Sequence, residues 1–225
     1  MTSFDTIQLN AFNESQLDAV ADALVAQGYL ILDNCLPESL LNGLLNHFNQ
    51  LRENEFKAAG VGRQTDFQLQ ETIRSDKIHW ITSTETFTEK STETTAEFLQ
   101  WMDSLRVGIN RRLFMGLFDY ESHFAHYPVG AFYKKHVDAF RANRTQGQSN
   151  RVLSTVLYLN ETWQSDNGGE LVIYAEDGEQ TLEKVLPEFG RLVIFLSEKF
   201  PHEVLPATRE RKSIAGWFRV NEGAI

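Results

Sequence analysis

Apolar residues in the first half of the chain recur at helical spacing. After Asn13, a residue suited to an N-cap, Leu17, Val20, Ala21, Leu24 and Val25 fall on one face, and Gly28 stands where a C-terminal stop belongs. Tyr29 to Asp33 reads as a short strand. Pro37 opens a second helix in its first turn, with Leu40, Leu41, Leu44, Leu45, Phe48 and Leu51 as its apolar stripe. Ala59 to Thr72 is polar and contains glycine, so it reads as a loop. Ile73 to Ile81 reads as a strand. A third helix is predicted from Thr94 to Leu113, with Phe98, Leu99, Met102, Leu105, Ile109 and Leu113 on one side.

After Tyr120 the period shortens. Strand-like runs cover Ser122 to Tyr127, Tyr133 to Val137, Val152 to Leu159, Gly169 to Tyr174, Arg191 to Leu196, Glu203 to Leu205 and Ser213 to Val220. Turn clusters such as Pro128-Val129-Gly130, Asp166-Asn167-Gly168-Gly169 and Asp177-Gly178 separate most of them. Many short strands at near-regular spacing indicate a sandwich or barrel, with the preceding helices packed on one face of it. The expected fold class is α+β with a mainly β core.

Composition narrows the function. The net charge is −10 and the pI about 5.1, which disfavours a nucleic-acid partner. No apolar run is long enough for a membrane span, and the N-terminus does not read as a secretory signal. The single cysteine, Cys35, has no internal partner, which fits a reducing, cytoplasmic setting. One stretch departs from the acidic average: Ala139 to Arg151 carries Arg141, Arg144 and Arg151 and no acid. Such a segment is either a solvated loop or a patch for an acidic protein surface.

Candidate chemistry begins at His136-Val137-Asp138. Residues two apart on a strand point the same way, so a histidine nitrogen and a carboxylate converge. His202, after Pro201, is the best third ligand. Two histidines and a carboxylate leave coordination positions open, an arrangement that suits non-haem Fe(II). Arg211 begins the last strand-like run and offers a planar fork to a carboxylate. Tyr158 can supply a hydroxyl to the same carboxylate or serve as a core aromatic. Tyr127 and Trp217 carry the same ambiguity between lining a pocket and filling the core. His47, His79 and His123 read as structural or exposed residues.

Taken together these motifs resemble the Fe(II)/2-oxoglutarate oxygenases, in the prolyl-hydroxylase branch that includes the animal hypoxia-inducible-factor hydroxylases and their bacterial relatives. The shared order is Tyr127-Pro128, His136-x-Asp138, Tyr158-Leu159-Asn160, Gly168-Gly169-Glu170-Leu171, Pro201-His202-Glu203-Val204, Arg211 and Trp217, extending back to Ile73-Arg74-Ser75-Asp76-Lys77-Ile78-His79-Trp80-Ile81. The resemblance implies a double-stranded β-helix, or jelly roll, with N-terminal helices outside. One oxygenase domain would span 1–225, with 1–115 as helical support and substrate-covering loop and 116–220 as catalytic core. It implies His136, Asp138 and His202 as iron ligands and catalytic centre. Arg211, Tyr158, Tyr127 and Trp217 would form the 2-oxoglutarate pocket. Asp76 and Arg151 match a pair that ties the covering loop to the core near the substrate.

The implied cofactor is Fe(II), with 2-oxoglutarate and O₂ as co-substrates and ascorbate as a further candidate. The implied partner is a protein substrate, with elongation factor Tu as the hypothesis, for a monomer or weak dimer. Ala215 stands where the animal enzymes carry a hydroxyl residue, His126 replaces a cysteine, and the turn after Tyr127 is one residue shorter. The alternatives are a same-fold oxygenase acting on a small molecule and a non-catalytic jelly-roll binding module. A halogenase would lack Asp138, and a zinc hydrolase would leave Arg211 without a role.

Overall fold

A computed structural model describes residues 11–60, 72–81, 89–139 and 151–221. Most of the expected covering loop (61–71) and of the basic segment (140–150, with Arg141 and Arg144) lies outside them.

Helix α1 spans Glu14–Ala26. It starts in a reciprocal cap: the Gln16 amide donates to Asn13 Oδ1 at 2.9 Å, and the Asn13 amide donates to Gln16 Oε1 at 2.9 Å. A cap of this kind contributes about 1 kcal/mol. Leu17, Val20, Ala21 and Leu24 are buried as predicted. Val25 is 73% exposed, because it lies on the far flank of that stripe. Helix α2 (Glu38–Gln50) buries Leu40, Leu41, Leu44, Leu45 and Phe48. Helix α3 (Glu89–Leu113) begins earlier than the apolar period suggested and buries Phe98, Met102, Leu105 and Ile109. It comes close to α1 at Gly108, where an added Cβ would stand 2.4 Å from the Leu17 side chain.

The strands are β1 (Tyr29–Leu32), β2 (Lys57–Ala58), β3 (Lys77–Ile81), β4 (Leu117–Tyr127), β5 (Tyr133–His136), β6 (Arg151–Tyr158), β7 (Leu171–Tyr174), β8 (Thr181–Val185), β9 (Leu192–Leu196), β10 (His202–Val204) and β11 (Arg211–Val220). They form a seven-stranded sheet in the order β1-β9-β6-β11-β4-β3-β2 and a four-stranded sheet in the order β5-β10-β7-β8. Every pairing between these strands is antiparallel. The sheets face each other as a double-stranded β-helix, with the helices on the outer face of the larger one. β8 is absent from the sequence reading: Thr181-Leu182-Glu183-Lys184-Val185 is an edge strand with little apolar alternation.

Alternation along the central strands divides two cores. Phe124, Leu153, Leu157, Ile194, Ile214 and Phe218 face the helices and pack with Leu44, Phe98 and Met102. Their neighbours Ala125, Tyr127, Tyr158, Val193 and Phe195 face inward and meet Leu171, Ile173 and Val204 of the smaller sheet. The same inward parity on β11 carries Arg211, Ser213 and Trp217. The registry that packs the helices therefore delivers polar residues to the space between the sheets.

Candidate functional site

His136 ends β5 and His202 begins β10, and the two are direct cross-strand partners. Asp138 follows β5 by two residues, so its carboxylate reaches the same point. One ligand atom from each of the three residues lies within 4.8 Å of the others. His136 Nε2 is 3.6 Å from Asp138 Oδ1, and His202 Nε2 is 3.6 Å from Asp138 Oδ2.

The backbone sets how these rings present themselves. His136 Nδ1 sits 2.8 Å from the Lys134 carbonyl, and His202 Nδ1 sits 3.0 Å from the Phe200 carbonyl. A carbonyl only accepts, so each Nδ1 carries the proton, and in the neutral ring each Nε2 lone pair points inward. Burial and the neighbouring His136 push the His202 pKa down to about 4, against the pull of Asp138. Burial would keep Asp138 protonated, but His202, His136 and Arg151 hold its carboxyl well below the usual carboxylate range. Imidazole lone pairs aimed at an anionic carboxylate repel each other unless a cation lies between them. The donor set therefore fits a divalent metal, with two nitrogens and one oxygen as non-haem Fe(II) takes them. Both histidines keep the outer-ring hydrogen bond typical of metal ligands.

Supporting rings complete the centre. Tyr133 stacks on His136 with centroids 3.5 Å apart, and Phe195 of the larger sheet meets His202 edge-on at 4.8 Å.

Deeper between the sheets lies a guanidinium without an acid. Arg211 is 2% exposed, and among the described residues no carboxylate pairs with it. Its Nε donates to the Gly169 carbonyl at 3.0 Å and its Nη1 to Ser213 Oγ at 3.4 Å. The rings of Tyr127 and Tyr158 flank it, with centroids 4.8 and 4.9 Å from its central carbon. Tyr158 Oη is buried with no hydrogen-bond partner among the described residues. Burial raises both phenol pKa values, so both keep their protons. Asn160 pins this corner: its Nδ2 donates to the Pro187 and Lys212 carbonyls at 2.8 and 3.0 Å, and its Oδ1 accepts from the Lys212 amide at 2.6 Å. A buried cation beside an unpaired buried hydroxyl needs an anionic acceptor. The end carboxylate of 2-oxoglutarate meets that requirement.

Trp217 lies two rungs beyond Ala215 on the same inward face. The Arg151 guanidinium lies 3.5 Å above its ring, and Trp80 and His123 pack beside it. Trp217 thus has Arg151, Trp80 and His123 as its ring partners, and the rings over Arg211 are those of Tyr127 and Tyr158.

The expected pairing of Asp76 with Arg151 is not what the side chains make. Arg74 Nε and Nη2 grip Asp76 at 2.8 and 2.6 Å, and Arg74 Nη1 also reaches the Gly60 carbonyl at 3.3 Å. Arg151 Nε instead donates to Glu121 Oε1 at 2.8 Å. Arg74 lies two residues from Asp76, where its fork meets both carboxylate oxygens at once. His47, His79 and His123 are buried structural residues away from the ligand set. Sequence reasoning missed Tyr133, Arg74, Ser154 and Ser197; the one available signal was a serine inside the apolar run Val152 to Leu159.

Comparisons with known proteins agree with this geometry. The family model of the 2OG-Fe(II) oxygenase superfamily matches residues 122–219. The crystal structure of a Pseudomonas putida prolyl-4-hydroxylase is similar at 41% identity with a TM-score of 0.77, covering 91% of this chain and 99% of that one. A Trichoplax adhaerens prolyl hydroxylase, solved with a peptide fragment of the hypoxia inducible factor oxygen degradation domain, is 30% identical with a TM-score of 0.78, covering 92% and 90%. The hypoxia-inducible factor prolyl hydroxylase of Caenorhabditis elegans is 27% identical over 204 residues, 85% of this chain and 26% of the worm protein. The chain belongs to the Fe(II)- and 2-oxoglutarate-dependent oxygenases, in their prolyl hydroxylase branch, with Fe(II) as cofactor and 2-oxoglutarate and O₂ as co-substrates.

Proposed function

We propose that this enzyme hydroxylates a prolyl residue of a protein substrate, converting 2-oxoglutarate and O₂ to succinate and CO₂, and that elongation factor Tu is the first substrate to test. The observation that carries the reading is Arg211: a buried cation with no acid paired to it among the described residues, beside a Tyr158 hydroxyl that has no partner among them, on the inner face of the larger sheet, while His136 and His202 belong to the smaller sheet.

His136, Asp138 and His202 would hold the iron through Nε2, a carboxylate oxygen and Nε2. Bound Fe(II), with 2-oxoglutarate and O₂, supplies the oxidising power to put oxygen into an unactivated C–H bond. The chain does the rest. Arg211 neutralises the far carboxylate of 2-oxoglutarate and, with the Tyr158 hydroxyl as a second donor, sets its direction. The Tyr127 ring holds the guanidinium from the side. The apolar walls of Val193, Phe195 and Ile173 keep water from the reacting atoms. The protein target is supported by the peptide-bound Trichoplax relative, and the choice of elongation factor Tu by the resemblance to bacterial members of the branch. A cytoplasmic monomer or weak dimer is the form in which we expect it to work.

The test is to load purified protein with iron and 2-oxoglutarate without oxygen, then add air and a bacterial protein extract. Succinate and +16 Da prolyl peptides are followed by mass spectrometry beside Arg211→Ala and Asp138→Ala. Succinate with a hydroxyprolyl peptide, both lost in the variants, is the expected outcome. Succinate with no modified peptide moves the target to a small molecule, and no succinate with no bound 2-oxoglutarate ends the reading.

A further inference from the structure

The two oxygens of Asp138 differ in their surroundings. Oδ2 accepts a hydrogen bond from Ser154 Oγ at 2.6 Å. No hydroxyl or amide among the described residues reaches Oδ1. Ser154 Oγ also lies 2.9 Å from Ser197 Oγ. A hydroxyl has one proton to give. A carboxylate is the stronger acceptor, so Ser154 donates to Asp138 and Ser197 donates to Ser154. The bonds therefore run in one direction, and each strengthens the next.

Both serines are fixed and dry. Ser154 is 1% exposed and Ser197 0%. Ser154 sits mid-strand in β6, paired with Phe195 of β9 on one side and Trp217 of β11 on the other. The Ser197 amide donates to the Val152 carbonyl at 2.9 Å, holding the turn that runs on to His202. No other hydroxyl or amide among the described residues reaches Oδ2. A free carboxylate can turn about its Cβ–Cγ bond and take a cation with both oxygens, as such groups commonly do.

We infer that Ser154, backed by Ser197, is a positioning residue that makes Asp138 a one-oxygen ligand and so keeps a coordination position open for the co-substrates. This rests on the metal-centre reading above.

The experiment uses the full chain and Co(II) as a spectroscopic probe. Co(II) affinity, by competition titration, and the Co(II) absorption spectrum, which reports coordination number, are measured for wild type, Ser154→Ala, Ser154→Thr, Ser154→Cys and Ser197→Ala. Loss of an outer partner of this kind costs about 10- to 100-fold in metal affinity. Ser154→Ala should show that loss and a changed spectrum, Ser154→Thr should restore both, and Ser197→Ala should fall between them. Wild-type affinity and spectrum in Ser154→Ala overturn the inference. Should that variant not fold, Ser154→Cys, of similar size but a weak donor, decides by the same criterion. Failure of the wild-type chain to bind Co(II) overturns the metal centre itself, an outcome distinct from equal binding in all variants.

Discussion

Tyr133 lies flat on His136, with ring centroids 3.5 Å apart and planes 16° from parallel. Arg74 also stacks over the Tyr133 ring at 4.2 Å, and Asp76 holds Arg74 through both carboxylate oxygens. A buried ion pair is thus joined to a candidate metal ligand through one aromatic ring.

Removing one member of that pair should be costly. The Asp76 side chain is 0% exposed, and Arg74→Ala would leave its charge buried and uncompensated. The expected loss is about 3–5 kcal/mol of unfolding free energy. Arg74→Lys should recover only part of it, since an ammonium cannot grip both oxygens in one plane. Urea unfolding of the two variants measures this, and a midpoint unmoved by Arg74→Ala would remove the pair from the account of stability.

Arg211 should govern 2-oxoglutarate affinity rather than metal affinity. Truncating one partner of a buried charged pair costs about 2–5 kcal/mol, roughly 30-fold or more in binding. Arg211→Ala should therefore weaken 2-oxoglutarate binding by at least that factor while leaving Co(II) binding near wild type. Calorimetric titration of each ligand separates the two effects. Parallel losses of metal and co-substrate would point instead to a collapsed interior.

The sequence exposed the parts of this site whose chemistry is local. His136 and Asp138 are two residues apart, and strand parity alone puts them together. Arg211 and Tyr158 became meaningful only once the motif order was assembled. What stayed hidden depends on pairings across strands. Ser154 looks like an ordinary polar residue until β6 is laid beside β9, which brings Ser197 to it. Asp76 pairs with Arg74 and not with the distant Arg151, and nothing in the sequence signals which way the Arg74 side chain folds. β8 carries no clear alternation because an edge strand facing solvent need not alternate, and Val25 is exposed because the apolar stripe of α1 is wider than the surface that covers it.

Gly216 is another residue whose constraint only the fold reveals. It sits between Ala215 and Trp217 on β11, with its outer side against Tyr120. A Cβ there would stand 2.1 Å from Tyr120 Oη and 2.4 Å from its Cζ. Tyr120 cannot easily retreat: its hydroxyl pairs with Thr155 Oγ1 at 2.8 Å, and Phe218 packs on its ring at 4.6 Å. Gly216→Ala should cost about 1–3 kcal/mol, the usual penalty for overpacking. The ring carbon is itself too close, so Tyr120→Phe should not rescue it. A double-mutant cycle measured by chemical unfolding checks both statements, and full rescue would assign the strain to the hydroxyl alone.

Stability should fall with acidification even before any metal is lost. Burial, aided by nearby His79 and opposed by Glu55, lowers the His47 pKa from 6.5 to about 4. Burial with Arg74 and Arg151 lowers His123 to about 3. Between these values and 6.5 the unfolded chain binds protons that the folded chain refuses. Each group's contribution is therefore fully present above pH 6.5 and is lost as pH falls toward the folded pKa. The slope is at most about 1.4 kcal/mol per pH unit for each histidine. His47→Phe, placed beside Phe124 where the imidazole now packs at 5.2 Å, should remove its share and flatten the dependence. Unfolding free energies measured in urea from about pH 7 down to about pH 5 give the two slopes. Equal slopes would mean that His47 takes up its proton without leaving the folded state, and that the acid sensitivity belongs to other groups.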